Sequence, residues 1–294
     1  MAQRSGSGVG QITCPLQAAE YLKHAGRTAS ALVAHGLVRL PLGRYNAKTH
    51  ILDSACGPGI VTKLLLSSSS SPQEVHVPGL PLSPPPRVVG IDISADMVAS
   101  YVGQKETLGW GTAEAFVQDA GDLACFADQT FDAIIMNLGL FMVPDPAHCA
   151  TEMHRVLKPG GHLVVTTWKR AGVHHLIQKV VDAIHGPGRQ NVLPIPPEWT
   201  TSEKLVRVLR SGGFDVNQEA HIRAEAVKWQ VESVEEIVEH LSAPHWMDKH
   251  CSGWSEDDKV RWKGEIVNQL SEEERATSSV SMIGWVCVVP KAEE

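Results

Sequence analysis

Seven residues, Asp53-Ser54-Ala55-Cys56-Gly57-Pro58-Gly59, concentrate the groups in this chain that could do chemistry. They follow a short apolar stretch and precede an apolar helical run. That strand–turn–helix setting is the one in which a glycine turn holds a nucleotide-like ligand. Glycine at such a turn lets the backbone approach a ligand that a Cβ would keep away. A dinucleotide turn of the form G-x-G-x-x-G would seat a pyrophosphate on the helix N-terminus. Here the third glycine is missing, which argues against a nicotinamide-dependent oxidoreductase, and Asp53 ends the strand. A carboxylate at that point repels phosphate and suits a ligand ammonium, directly or through water.

A second acid, Asp92, ends the next apolar stretch, RVVGID. In a nucleotide-binding unit an acid at this position accepts hydrogen bonds from ribose hydroxyls, ~20 residues beyond the turn. Here Asp92 stands 33 residues after Gly59. The excess comes from residues 67–86, SSSSSPQEVHVPGLPLSPPP, whose serines and prolines suit neither a helix nor a central strand. Without those 20 residues the Asp53–Asp92 separation falls from 39 to 19. The segment reads as a surface insertion that could be removed with little effect. Asp92 could instead cap the following helix, but Ser94 is placed for that role.

These residues need a scaffold, and the periodicity supplies one. Residues 14–36 have helical spacing, and Gly36 can end the helix. Apolar strands are predicted at 50–53, 88–92, 115–118, 131–136, 162–168 and 280–289, and helices at 146–157, 172–185 and 202–211. Ser233–Glu236 and Ser255–Asp258 have the spacing of capping boxes. No strand is assigned between residues 212 and 279. Strands alternating with helices call for an α/β fold with a parallel sheet and right-handed crossovers.

Composition narrows the function. The net charge is −7, from 26 Lys and Arg against 33 Asp and Glu, and no basic run offers a face to a phosphate backbone. Nucleic-acid substrates are therefore not expected. None of the six cysteines lies in a C-x-x-C pair, so no metal site and no disulfide framework is expected, and free thiols fit a reducing compartment. The longest apolar stretch, Met282–Val289, is too short to span a bilayer, and neither a signal peptide nor a prenylation box is evident. A cytoplasmic location, with no membrane partner, is the simplest expectation.

The segments LDSACGPG, VVGIDIS, Asp119-Ala120, FDAIIMN and RVLKPGGHLVVTTW resemble, in order, motifs I, post-I, II, IV and post-IV of class I S-adenosylmethionine-dependent methyltransferases. The pattern is most similar to the fungal secondary-metabolite branch, with its gliotoxin-type thiol and amide-N methyltransferases, and more distantly to quinone-pathway methyltransferases. The resemblance implies a Rossmann-like fold with a seven-stranded, mostly parallel sheet, helices on both faces and a small helical lid. It implies the strand order 3-2-1-4-5-7-6 with the last strand antiparallel. One domain would cover 1–294: an N-terminal helical lid at 14–45, a cofactor-binding core at 46–168 interrupted by 67–86, a cap at 169–201, and the C-terminal part of the sheet at 202–294.

The same resemblance implies S-adenosylmethionine as cofactor, a ligand with an ammonium and a sulfonium but no phosphate. Its implied binding residues are Asp53, Ala55, Gly57 and Gly59 in the turn, and Asp92, Ile93 and Met97 after the second strand. Asp119 would lie near the adenine amino group, with Ala120 donating its backbone N–H. Asn137 and Leu138 would line the cofactor at the end of the fourth strand, and Tyr21 would close over its methionine end. Amino methyltransferases of nucleic-acid bases carry N-P-P-Y after the fourth strand, whereas this chain has Asn137-Leu-Gly-Leu-Phe141.

The acceptor is therefore expected to be a small organic molecule in an apolar, aromatic pocket, with Phe141 and Trp168 as walls. Methyl transfer at O, N or S is set mainly by alignment, and a base is needed only for a neutral hydroxyl or amine. His174 and His175 stand where a base could serve, with His174 also a substrate-binding candidate, but no residue is assigned a catalytic role. The cofactor motifs also leave room for a methyltransferase fold turned to a non-methylating, pericyclase-like reaction.

Overall fold

The computed structural model describes residues 18–68, 74–188 and 195–293. Residues 14–17 of the expected first helix, including Cys14, lie outside the described residues. Seven strands form one sheet: β1 (His50–Ser54), β2 (Arg87–Asp92), β3 (Ala113–Val117), β4 (Phe131–Asn137), β5 (Leu157–Arg170), β6 (Ile222–Gln230) and β7 (Ser279–Pro290). Their order is β3-β2-β1-β4-β5-β7-β6. β1 to β5 pair in parallel, while β7 runs antiparallel to both β5 and β6. The expected topology is thus observed. Ile51, Leu52, Ile134, Ile135, Val164 and Val165 are wholly buried, because helices cover both faces of the central strands.

The helices are α1 (Ala18–His24), α2 (Gly26–Leu37), α3 (Ile60–Leu66), α4 (Ala95–Leu108), α5 (Pro146–Val156), α6 (Gly172–His185), α7 (Ser202–Ser211), α8 (Gln218–His221), α9 (Val234–Leu241), α10 (Pro244–His250), α11 (Glu256–Gln269) and α12 (Glu272–Thr277). Local chemistry fixes several ends. The Ser94 hydroxyl accepts from Met97 N–H to start α4, and Gly109, left-handed at φ 70°, ends it. Asp145 caps α5 by accepting from His148 N–H. The Ser255 capping box is complete. At Ser233 only half forms, because the Glu236 carboxylate accepts from Glu232 N–H instead. A third, complete box at Ser271–Glu274 starts α12.

Four expectations need correction. The expected N-terminal helix is two helices, α1 and α2. Leu32, Val33 and Leu37 of α2 are wholly buried, and a Cβ at Gly284 of β7 would clash with Leu32, so α2 is a core layer rather than a lid. The resemblance calls for a seventh strand, β6, but the apolar periodicity did not locate it. Its sequence, IRAEAVKWQ, mixes apolar residues with Arg223, Glu225 and Lys228 because it is an edge strand. Between β6 and β7 the chain forms α9 to α12, a helical insertion besides the expected cap segment at 169–201. β6 points the same way as β1 to β5, so this insertion springs from the carboxyl ends of the strands, where α/β folds bind ligands.

The last correction concerns residues 67–86. Among the described residues this segment has no helix or strand, as expected, yet it is packed. Val77 and Leu82 are buried, Leu82 N–H donates to the Leu65 carbonyl at 2.9 Å, and Lys63 pairs with Glu74 at 2.7 Å. With Arg27 and Ser30 of α2 and Ile60 of α3, the segment walls a cavity of about 300 Å³.

Candidate active site

The turn after β1 is built from left-handed residues: Ala55 at φ 55°, Gly57 at 52° and Gly59 at 91°. At Gly59 glycine is required twice over, since a Cβ would also lie 2.9 Å from the Tyr101 ring. At Gly57 a Cβ would meet nothing within 4 Å, so the turn exposes its backbone to open space there. The Gly57 N–H turns toward β2 and donates to Asp92 Oδ2 at 2.9 Å. The other Asp92 oxygen accepts from Ser94 N–H at 2.9 Å. Asp92 thus ties the glycine turn to the start of α4, a structural role that the sequence reading did not give it. Ser94 is the helix cap.

Asp53 is 1% exposed at the end of β1. Its Oδ2 accepts from Thr62 N–H at 3.2 Å and from the Thr62 hydroxyl at 2.8 Å. Burial drives the carboxyl up to about 7; the Thr62 bonds oppose that shift and the nearby Asp92 reinforces it. Burial also raises Asp92 and, more strongly, the Cys56 thiol. An opposite charge brought against Asp53 would therefore be favoured by relief of this penalty.

A small pocket at this point is lined by Asp53, Ala55, Gly57 and Asn137 together with Tyr21 from α1 and Ile60 from α3. Five of the expected cofactor residues (Tyr21, Asp53, Ala55, Gly57 and Asn137) therefore meet. Asn137 is held by two bonds, accepting from the Thr166 hydroxyl at 2.6 Å and donating to the Ala29 carbonyl at 3.3 Å. Leu138 is left-handed at φ 58°, with its N–H given to Thr166. Ile93 stands 43% exposed beyond β2, unusual for its type, while Met97 is buried in the first turn of α4. Asp119 accepts from Gly121 N–H at 2.8 Å in the turn after β3, beside the buried Ala120.

The acceptor candidates are less gathered. Phe141, in a 3-10 turn after β4, and Trp168, near the end of β5, are half-buried against the core and do not line the pocket. His174 packs edge-on against Trp246 of α10 at 5.2 Å between ring centroids. His175 Nδ1 lies 2.9 Å from the Ala171 carbonyl, which commits that ring to its own helix. A cluster that sequence reasoning missed surrounds Trp246. His24 of α1 meets His240 of α9 at 3.8 Å, Trp229 at the end of β6 lies 5.0 Å from His240, and Trp246 stacks on His250 at 5.7 Å. These rings join the N-terminal helix to the β6–β7 insertion, a link no local pattern announces. Thr62 and Tyr101 were also missed. Their signal was weak: a lone hydroxyl in the apolar run IVTKLLL, and a tyrosine four residues after Met97 on the buried side of α4.

Among the described residues no group of three or more His, Cys, Asp or Glu could hold a metal ion, and no helix is long and apolar enough to cross a membrane. Comparison with known proteins accords with the geometry. A methyltransferase domain family matches residues 52–165. The methyltransferase ucsB of an Acremonium species is 28% identical over 79% of this chain and 77% of its own length. The demethylmenaquinone methyltransferase of Lactiplantibacillus plantarum is 34% identical over 40% of this chain. The methyltransferase tpcH of Aspergillus fumigatus is 27% identical over 61%. The chain spans only 44% and 57% of these last two relatives. Among solved structures, the BH2331 chain of Bacillus halodurans aligns over 89% of this chain and 98% of its own with a TM-score of 0.52 at 17% identity, a likeness of fold. Fold, domain match and relatives together support an S-adenosylmethionine-dependent methyltransferase with a Rossmann-like class I fold.

Proposed function

We propose that this chain transfers a methyl group from S-adenosylmethionine to an O, N or S atom of a small organic molecule, as a cytoplasmic enzyme of fungal-type secondary metabolism. The observation that carries the cofactor site is the buried Asp53 carboxylate facing a pocket whose floor is the glycine turn. A cationic amino-acid end suits that carboxylate, and the bare Gly57 backbone leaves room for a ligand. Asp53, Ala55, Gly57, Gly59, Asn137 and Leu138 would hold the methionine half, with Tyr21 closing over it. Asp92, Ile93, Met97, Asp119 and Ala120 would hold the adenosine. S-adenosylmethionine, when bound, supplies an already activated methyl group.

The chain's own contribution is alignment and exclusion of water. The acceptor would be a small organic molecule met by apolar and aromatic side chains, with Phe141, Trp168 and His174 as the residues that would meet it. The secondary-metabolic setting is supported by similarity to the Acremonium and Aspergillus methyltransferases. A net charge of −7 speaks against nucleic-acid substrates, and the described cysteines are all free thiols, in keeping with a reducing compartment.

Calorimetry with S-adenosylhomocysteine is expected to give a dissociation constant of micromolar order, about −8 kcal/mol. Mass spectrometry of thiols, phenols and amines incubated with the protein and methyl-labelled cofactor is expected to show one labelled methyl on an acceptor. Absence of both heat and thermal shift would end the cofactor reading. Turnover of an acceptor without label incorporation would point to the non-methylating alternative.

A further inference from the structure

Every hydrogen bond that Asp53 makes among the described residues falls on one of its two oxygens. Oδ2 takes both Thr62 bonds, leaving Oδ1 for the pocket that Asp53 lines. The Thr62 hydroxyl is itself engaged by Tyr101, whose O–H donates to it at 3.0 Å. Tyr101 is wholly buried, and its ring is held on both sides of the site. A Cβ on Gly59 of the turn or on Gly90 of β2 would come within 2.9 Å of it, and Trp110 packs edge-on at 5.5 Å. The direction of the chain follows from the donors. A threonine hydroxyl has one proton to place, and with Tyr101 donating to its oxygen that proton goes to Asp53.

We propose that Tyr101 and Thr62 are positioning residues for the cofactor: together they anchor Asp53 by Oδ2 and so present Oδ1 to the cofactor's ammonium. The proposal rests on the cofactor reading above. It adds two residues that touch neither the pocket nor the cofactor and act only through Asp53. A hydroxyl donated to a carboxylate favours the charged form, which is the form an ammonium needs and the form that burial here opposes. The other groups facing Asp53 give no such help. Asp92 on β2 repels it, the Cys56 thiol is pushed toward its neutral form, and Asn137 of β4 and Tyr21 of α1 carry no cation.

The test compares two ligands that share the adenosine half. S-adenosylhomocysteine carries the ammonium, and 5′-methylthioadenosine lacks it. Tyr101→Phe keeps the ring against Gly59 and Gly90 and removes only the donor. It is expected to weaken S-adenosylhomocysteine about 3- to 10-fold near neutral pH while leaving methylthioadenosine within about twofold. The loss should shrink at about pH 8.5, where Asp53 is ionised in either protein. Thr62→Val should cost more, about 10- to 100-fold for S-adenosylhomocysteine alone, and Thr62→Ser should restore it.

Equal losses for both ligands would reduce Tyr101 and Thr62 to general packing and overturn the proposal. So would variants that bind S-adenosylhomocysteine as the wild type does. A wild-type protein that binds neither ligand would instead remove the cofactor reading, and the proposal with it.

Discussion

Replacing Asp53 by Asn separates the demands of folding from those of ligand binding at one atom. The carboxyl is fully buried and titrates near 7, against about 3.9 for a free aspartate. Three units correspond to about 4 kcal/mol, an upper bound once relaxation is allowed. A carboxyl whose folded value is raised holds its proton more tightly in the folded chain than in the unfolded one. Between about pH 4 and pH 7 the unfolded chain has released that proton and the folded chain has not. Stability from this group is therefore complete below about pH 4, falls as pH rises to about 7, and is flat beyond.

Asparagine has nearly the same shape and cannot ionise, and its amide oxygen can accept both Thr62 bonds. The unliganded variant should thus gain on the wild type as pH rises. The gap is expected to widen by about 2–3 kcal/mol between pH 5 and pH 8. Taking the difference between the two proteins cancels the contributions of the histidines, which they share. Urea unfolding at a series of pH values reads the effect directly, provided the transition is two-state. Saturating S-adenosylhomocysteine should stabilise the wild type and scarcely affect the variant, because the compensating carboxylate is gone. Parallel pH curves would refute the reasoning, since they would mean Asp53 is solvated enough to ionise at its usual value.

Three further outcomes are expected. Asp92→Ala should weaken S-adenosylhomocysteine more than tenfold by calorimetry, since charge-assisted bonds are worth about 1.5–3 kcal/mol each; an unchanged constant would show that Asp92 serves only the Gly57 and Ser94 N–H groups. Leu82→Ala should cost about 2–4 kcal/mol in unfolding free energy because its side chain is buried, and deletion of residues 67–86 should lower the melting temperature by many degrees; an unchanged melt would return the segment to the surface. Methyl transfer should persist in chelator, since the segment after β4, residues 137–143, offers a divalent ion no carboxylate, and a rate lost with EDTA and regained with Mg²⁺ would contradict this.

The parts of the site that were legible in the sequence are those whose geometry is written locally. A strand, left-handed turn residues and a helix start fall within Asp53–Ile60, so residue type and order suffice to place the turn. Asp92 needed one step more, the recognition that 20 residues of serine and proline intervene. That same composition concealed the packing of the segment, because its four aliphatic residues, Val75, Val77, Leu80 and Leu82, are scattered among serines and prolines and yet pack with the core. Strand β6 was overlooked for a related reason. An edge strand with charged residues scattered along it carries a weaker apolar signal than a central one.

What no local reading reaches is contact between distant segments, and the division of labour in this molecule follows that line. Thr62 and Tyr101 are 39 residues apart, and their value to Asp53 lies in one hydrogen bond that neither sequence neighbourhood implies. His24 and His240 stand further apart still, yet their rings meet at 3.8 Å where α1 comes under the β6–β7 insertion. The cofactor side of the site is thus assembled largely from short strand–turn–helix units between residues 50 and 140, each nearly complete in itself. The rings around Trp246, which His174 joins, are brought together by docking α1 against helices from the chain's last third. Cofactor identity is for that reason the readable part of this protein. If the acceptor meets His174, as proposed, substitutions in the packing around Trp246 are expected to change which molecule is methylated before they change whether the cofactor binds.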